Sequence, residues 1–338
     1  MKIFFIKPQS STFIDKDESI LADYLAFESF NYNNARGLNY VRKTLQLITT
    51  FVFSLSKFQI VYCWFADYHS FVLGLLCRLF NKRLVIIVGG YETANLPEYN
   101  YGGQLKPLRR FCINSALNLS HAIYPTSDFL LKELKELNPK WETKSKRIYL
   151  GFDLKVTQHL TEKQRFDFIT ICDSTSLNRC LLKGIDRFVE VAKFFPNKKF
   201  ALIGMNNQAF RAMFPESTSN ILVISKTPFA ELLKILQKSK VYLQLSRRES
   251  FGSAVFESIV CGCIPIVADI GGLPEIVSKP GLRIGEFDKE ELWLNQINEI
   301  LVQSNELMPE EAKKVVEIKF AFEKRKAELI LDLQKLIS

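Results

Sequence analysis

Short apolar runs that recur between amphipathic stretches constrain this chain more than any single residue does. The runs are Ile3–Ile6, Ile60–Cys63, Leu84–Val88 and Ala122–Pro125, followed by Ile148–Leu150, Phe168–Cys172, Phe200–Ile203, Ile221–Ile224, Val241–Leu245 and Ile264–Ala268. Four or five β-branched or aromatic residues without polar alternation are what strands buried on both faces look like. Between them, apolar spacing predicts helices over Ser70–Phe80, Ser127–Leu137, Ile185–Phe195 and Phe229–Lys238. Strands alternating with helices imply parallel sheets with right-handed crossovers, whose ligands sit at the carboxyl ends of the strands.

At 338 residues the chain exceeds the size at which one core usually keeps growing, so two domains are expected. The joint is placed at Leu150-Gly151-Phe152-Asp153, where a strand ends in a glycine turn before the polar stretch Lys155–Arg165. This gives an α/β chain with domains at 1–150 and 151–319. The last segment, Glu310–Ile337, is helical by period and charged on one face, and its part from about residue 320 to 338 is expected to pack back on the first domain.

The net charge of +9 is uneven: residues 1–150 carry 19 Lys+Arg against 12 Asp+Glu, the remainder 26 against 24. A basic first half invites an anionic partner such as a membrane surface or phosphorylated lipid. A mildly basic soluble surface fits equally, because no block of five like charges occurs. Nucleic acid is not expected, since the cations are scattered without an interleaved aromatic platform. The most apolar helical stretch, Leu45–Ser56 between Lys43 and Lys57, is too short to span a bilayer. The opening MKIFFIKPQS reads as a strand broken by Lys7 and Pro8, not as a signal peptide. Seven cysteines without a paired framework suggest reduced thiols in the cytoplasm. With three histidines in the chain, the lone Cys261-x-Cys263 is not expected to bind zinc, and no metal is anticipated.

The chemistry concentrates between Ser246 and Glu275, SRRESFGSAVFESIVCGCIPIVADIGGLPE. Glu249 follows the strand Val241–Leu245, so its carboxylate projects at that strand's carboxyl end and can accept hydrogen bonds from sugar hydroxyls. Glu257 lies eight residues on, about two turns into the next helix, and suits the vicinal hydroxyls of a ribose. Ser250, Phe251, Gly252 and Ser253 form the turn between them, where a glycine admits a phosphate and the helix start offers N–H groups. A second constellation, Asn178-Arg179-Cys180-Leu181-Leu182-Lys183-Gly184, follows the strand Phe168–Cys172 and precedes the helix Ile185–Phe195. Arg179 and Lys183 there suit a diphosphate. Plain alternatives exist for both: a pair of helix-capping glutamates and a solvated basic loop.

Ser246, Glu249-Ser250-Phe251-Gly252, Glu257, Gly262, Pro265 and Gly271-Gly272-Leu273-Pro274-Glu275 resemble the donor-site signature of retaining glycosyltransferases of family 4. Leu150-Gly151-Phe152-Asp153 resembles that family's domain joint, Lys183-Gly184 its Lys-Gly, Leu202-Ile203-Gly204 its strand-to-glycine turn and Ala122–Ser127 a strand end of its first domain. The resemblance covers the second half almost continuously and the first half loosely. It implies the GT-B fold, two Rossmann-like parallel-sheet domains facing across a cleft, with acceptor on the first and nucleotide sugar on the second. It implies transfer from a UDP- or GDP-sugar to a saccharide or lipid-linked acceptor, without a metal or other cofactor, in bacterial surface polysaccharide or glycolipid synthesis. Glu249 would contact the transferred sugar and Glu257 the ribose. Phe251, Gly252 and Ser253 with Lys183 and Arg179 would hold the diphosphate, and Thr227 would approach the base.

The chain departs from the family pattern in its first half and at one donor position. Leu177 stands where members place a phosphate-binding Arg. Gly89-Gly90-Tyr91-Glu92 stands where many carry a His that reaches the donor sugar; Glu92 falls at a common Asp and His69 is the alternative polar group facing the cleft, so both join Glu249 as candidate catalytic residues. Lys7-Pro8-Gln9-Ser10-Ser11 replaces a glycine-rich loop, with Ser10 and Ser11 as possible acceptor contacts. Three further expectations concern place and class. Lys106-Pro107-Leu108-Arg109-Arg110 suggests docking on the inner face of the plasma membrane by an otherwise cytoplasmic protein. A degenerate GT-B protein that binds a sugar or partner without turnover is the rival class, and a sugar-nucleotide epimerase is a third.

Overall fold

The computed structural model describes residues 2–24, 26–153, 165–303 and 307–337; of the polar stretch read after the joint, 155–164 lies outside them. The chain forms two compact units, Met1–Asp153 together with Phe320–Ser338, and Leu154–Lys319. In the first 153 residues the strands are β1 (Lys2–Lys7), β2 (Ala26–Asn31), β3 (Ile60–Trp64), β4 (Arg83–Val88) and β5 (Ala122–Pro125). The helices are α1 (Thr12–Tyr24), α2 (Gly37–Phe53), α3 (Tyr68–Leu79), α4 (Pro107–Leu119) and α5 (Asp128–Leu137). All strands pair in parallel in the order β2-β1-β3-β4-β5.

The pleat sorts alternate residues to two faces. Phe4, Ile6, Val61, Cys63, Ile86 and Ile123 join Leu47 and Phe51 of α2, Leu73 of α3 and Ile113 of α4 in one core. On the other face Phe5 stacks on Tyr62 at 5.6 Å, and the Tyr62 hydroxyl donates to Asp17 of α1 at 2.8 Å. Helix starts follow local chemistry: Asp67 and Ser70 close a capping box on α3, and the Ser127 hydroxyl accepts from the Leu130 N–H of α5.

The second unit holds β6 (Phe166–Ile171), β7 (Phe200–Ile203), β8 (Ile221–Ile224), β9 (Ser239–Gln244), β10 (Ile264–Ala268) and β11 (Arg283–Ile284), parallel in the order β11-β10-β9-β6-β7-β8. Its helices are α6 (Leu177–Leu182), α7 (Ile185–Phe194), α8 (Asn207–Met213), α9 (Phe229–Gln237), α10 (Ser253–Val260), α11 (Leu273–Ile276), α12 (Glu290–Gln303) and α13 (Leu307–Lys319). A last helix, α14 (Phe322–Lys335), belongs to the first unit. No helix of the described residues is long and apolar enough to cross a membrane.

Four expectations are corrected. Ile148–Leu150 is not a strand, because the Arg325 guanidinium takes the carbonyls of Ile148 (3.1 Å) and Tyr149 (2.6 Å) that a ladder would have used. Residues 310–337 are not one helix. The chain breaks at Phe320 and Ala321, where Phe152 donates its N–H to the Phe320 carbonyl and accepts from the Phe322 N–H. The segment around Arg179, for which a solvated loop is the plain alternative, is helix α6. Glu257 is the fifth residue of α10, since that helix begins only at Ser253. Strand β2, AFESFN, goes unread in the sequence because an edge strand tolerates Glu28 and Ser29.

Candidate active site

In the second sheet the strand order reverses between β6 and β9, the place where an open parallel sheet leaves a crevice beyond its carboxyl ends. Lys183, after β6, and Glu249, after β9, meet at that point with Nζ to Oε2 at 2.5 Å. Their side chains are 25% and 15% exposed, so the pair is sheltered yet reachable. The tail of β9 is tied down by a relay: Tyr242 hydroxyl to Gln244 Oε1 (2.8 Å), Gln244 Nε2 to Ser246 Oγ (2.6 Å), and Ser246 Oγ to the Lys183 carbonyl (3.4 Å). Arg247 then clamps the α6–α7 segment, donating to both Asp186 oxygens (2.8 and 2.6 Å) and to the Leu181 carbonyl (2.6 Å). Sequence reasoning missed this clamp; its partners lie 61 and 66 positions away, beyond any local spacing.

Two glycines let the segments touch. Gly184 has φ +74°, and a Cβ there would lie 2.0 Å from the Leu245 carbonyl oxygen. Gly271 has φ +60°, and its Cβ would lie 2.0 Å from the Glu249 carbonyl oxygen. Both backbones need the left-handed region and zero side-chain volume. The Gly272 N–H donates to the same Glu249 carbonyl at 2.9 Å, so the Gly-Gly turn positions Glu249 from behind.

Both carboxylates act on one place. Burial, then the charges of Glu249 and Glu257, push the buried Tyr242 phenol upward. The cations act on another: the Cys172 thiol at the end of β6 is held below its ordinary value, first by a hydrogen bond from Cys180 and, against burial, by the charges of Lys183 and Arg179. Phe251 is buried, Ser250 lies against Gly272, and Gly252 precedes Ser253 at the start of α10. The positive pole of α10 therefore opens beside Glu249. Thr227, between β8 and α9, has a buried Oγ1 with no hydrogen-bond partner, the kind of orphan a ligand satisfies.

In the first unit the order reverses between β1 and β3. A pocket of about 820 Å³ opens there, lined by Pro8 and Gln9 after β1, Asp67 and Tyr68 after β3, Tyr40 of α2 and Arg109 of α4, among others. Arg109 grips Asp67 through Nε and Nη2, both at 3.1 Å, and donates to the Tyr91 hydroxyl at 2.8 Å. It therefore does not reach outward as a membrane contact. Ser11 follows β1 with its Oγ buried and unpartnered.

His69 and Glu92 are placed differently from a pair of exposed catalytic groups. His69 is buried; its Nε2 faces the Trp64 carbonyl at 3.2 Å and its Nδ1 the Tyr40 hydroxyl at 2.9 Å. Burial lowers its pKa, consistent with a neutral ring that donates from Nε2 and accepts at Nδ1. Both ring nitrogens are thus spent on the fold. Glu92 is also buried and accepts from the Gly89 (3.2 Å) and Gly90 (2.8 Å) N–H groups, closing the turn after β4.

Burial raises the Glu92 carboxyl to about 6 from an ordinary 4.5, against the pull of those N–H groups. Between these two values the native state holds more proton than the unfolded chain, so stability falls as pH rises through that window. The span corresponds to about 2 kcal/mol at 1.36 kcal/mol per unit. Denaturant unfolding of wild type and Glu92→Gln across this window should show that slope in wild type only; parallel curves would contradict it.

Comparison with known proteins places these features. Residues 175–315 match the model of the family described as glycosyl transferases group 1. The chain is 23% identical over 118 residues to a subunit of phosphatidylinositol N-acetylglucosaminyltransferase from Arabidopsis thaliana, covering 32% of this chain and 26% of that protein. It spans between about a quarter and a half of the length of the curated relatives it matches. Among solved structures, sucrose-phosphate synthase of Thermosynechococcus elongatus superposes with a TM-score of 0.81 at 14% identity, over 100% of this chain and 99% of that one. Anabaena Alr3699/HepE in complex with UDP and glucose gives 0.74 at 16% identity, over 99% of both chains. Residues 175–315 thus match the glycosyl transferases group 1 model, within a chain whose two Rossmann-like parallel-sheet domains are those of the GT-B fold.

Proposed function

We propose that this chain is a retaining glycosyltransferase of family 4 that moves a sugar from a UDP- or GDP-sugar to an acceptor hydroxyl in the synthesis of a bacterial surface polysaccharide or glycolipid. The observation that carries this is the meeting of Lys183 and Glu249 at the switch point of the second sheet. Phosphate and hydroxyl ligands need a cation and an acceptor side by side, and there they are 2.5 Å apart.

In this reading Glu249 accepts hydrogen bonds from hydroxyls of the transferred sugar, and Glu257 from the ribose. The diphosphate shares Lys183 with Glu249, takes Arg179 and rests on the amino end of α10 at Ser250, Phe251, Gly252 and Ser253. Charge grows on the leaving diphosphate as the glycosidic bond stretches, so these cations and amides stabilise the transition state more than the ground state. Thr227 offers its buried hydroxyl to the base. The acceptor attacks from the face the diphosphate leaves, which retains configuration and needs no enzyme nucleophile. The pocket between β1 and β3 takes the acceptor, with Asp67 and Arg109 at its wall. His69 braces Tyr40 of that pocket's wall from behind and Glu92 closes the turn after β4, so both support the fold of the acceptor side rather than exchange protons with substrate. The site of action is the cytoplasmic face of the membrane, where lipid-linked saccharides present their sugars.

A thermal-shift panel of UDP-, GDP- and ADP-sugars tests the reading. One sugar nucleotide at 100 times its dissociation constant should add about 2.7 kcal/mol of stability. Silence across the panel would overturn it, and binding without turnover would mark a sugar-binding module instead.

A further inference from the structure

Helix α2 is apolar on two opposite sides. Leu47 and Phe51 point into the core, while Leu38, Val41, Leu45 and Val52 stack at helical spacing on the side away from it. That outer stripe is uncovered: Leu38 is 89% exposed, and Phe53 at the helix end is 84% exposed. The neighbours continue it. Leu79 of α3 is 74% exposed and Leu108 of α4 is 67% exposed, with Phe111 beside it. The three helices form one layer: Tyr40 of α2 meets Tyr68 and His69 of α3, and Phe71 of α3 meets Phe111 of α4.

Their charge is one-signed. Helices α2, α3 and α4 contain Arg42, Lys43, Arg78, Arg109 and Arg110 and no Asp or Glu. Most acids of the same unit lie elsewhere, such as Asp15, Asp17, Glu18 and Asp23 of α1 and Glu133 and Glu136 of α5, and Asp67, which caps α3, is neutralised by Arg109. A soluble protein rarely leaves so many large apolar side chains together on its surface. Apolar side chains set among cations, without acids, match the interface of an anionic bilayer, where the former enter the acyl boundary and the latter meet phosphate headgroups. A second copy of the same face would set cation against cation with nothing to pair them.

We propose that the α2–α3–α4 face docks flat on an anionic lipid bilayer, anchored by Leu38, Leu45, Phe53, Leu79, Leu108 and Phe111. The surface differs from the segment 106–110 taken alone, because Arg109 turns inward to Asp67 while α2 supplies the longest apolar stripe. It goes beyond sugar transfer and holds whether or not the second unit turns over a donor. Where it does, the bilayer lies beside the pocket that α2 lines through Tyr40 and Val41.

The test is flotation of the full chain with vesicles of phosphatidylcholine alone and vesicles in which about a third of the lipid is phosphatidylglycerol. Wild type should float with the anionic vesicles and detach as salt rises. Leu45→Asp/Phe53→Asp should weaken binding by about tenfold or more, since two side chains that would enter the acyl boundary become charged. Arg42→Glu/Arg110→Glu should weaken it comparably and flatten its salt dependence. All four side chains are exposed on the surface, and an unchanged melting temperature confirms folding. Failure of wild type to bind anionic vesicles would overturn the proposal, as would binding that both variants retain. A stable dimer dissolved by Leu45→Asp/Phe53→Asp, without vesicle binding, would assign the face to a second copy and overturn it as well. The donor panel reads sugar-nucleotide binding separately, so either idea can fail alone.

Discussion

Replacing Glu249 or Lys183 by glutamine is expected to lower kcat/KM for the sugar nucleotide by about 10²–10³-fold each, the effect of removing one preorganised transition-state partner. The two losses should differ in kind. Lys183 meets charge that develops on the leaving diphosphate, so its loss should fall on kcat. Glu249 holds hydroxyls throughout, so part of its loss should fall on KM. The double variant should lose less than the product of the single losses. The groups lie 2.5 Å apart, and each single change leaves a sheltered charge without its partner. Melting temperatures should move little, because Arg247, Ser246 and the Gly271-Gly272 turn hold the backbone independently of this pair.

Arg325→Met should destabilise the first unit by about 3–5 kcal/mol, the cost of breaking a buried ion pair from one side. Arg325 is 4% exposed; its Nε and Nη2 hold the two oxygens of Asp17 at 2.6 and 2.7 Å. Its Nη1 satisfies the Ile148 and Tyr149 carbonyls. Methionine fills the volume but strands a carboxylate that, among the described residues, keeps the Tyr62 hydroxyl as its donor. Asp17→Leu added to Arg325→Met should recover much of the loss, since the stranded charge goes too. Urea unfolding measures both, and a single variant within about 1 kcal/mol of wild type would contradict this.

The second half was legible because the residues that meet at its switch point are announced by local patterns. A phosphate next to a helix start calls for a glycine and a cation, and sugar hydroxyls call for a carboxylate; residues 178–184 carry the first set and residues 246–275 the carboxylates with their glycine turn. That Lys183 and Glu249 touch is a statement about strand order, which the β/α alternation already constrained. The first half was legible in β1, β3, β4 and β5, but not in the edge strand β2 and not in its polar contacts. Arg325 and Asp17 lie 308 positions apart and Arg109 and Asp67 lie 42 apart, so no periodicity announces either pair. His69 read as a polar group at a helix start, and its burial between Tyr40 and Trp64 depends on how α2 crosses α3. The outer stripe of α2 was visible as apolar residues, yet only the packed layer shows which side stays uncovered.

The most direct measurement is the initial rate of nucleoside-diphosphate release from the sugar nucleotide that stabilises the protein, with and without an acceptor fraction, for wild type, Glu249→Gln and Glu257→Ala. Wild type should release diphosphate in proportion to sugar appearing on the acceptor, with the anomeric configuration of the donor. Both variants should release diphosphate at least about 10²-fold more slowly while melting as wild type does. Full turnover by either variant would contradict the placement of the donor beside Glu249 and Glu257.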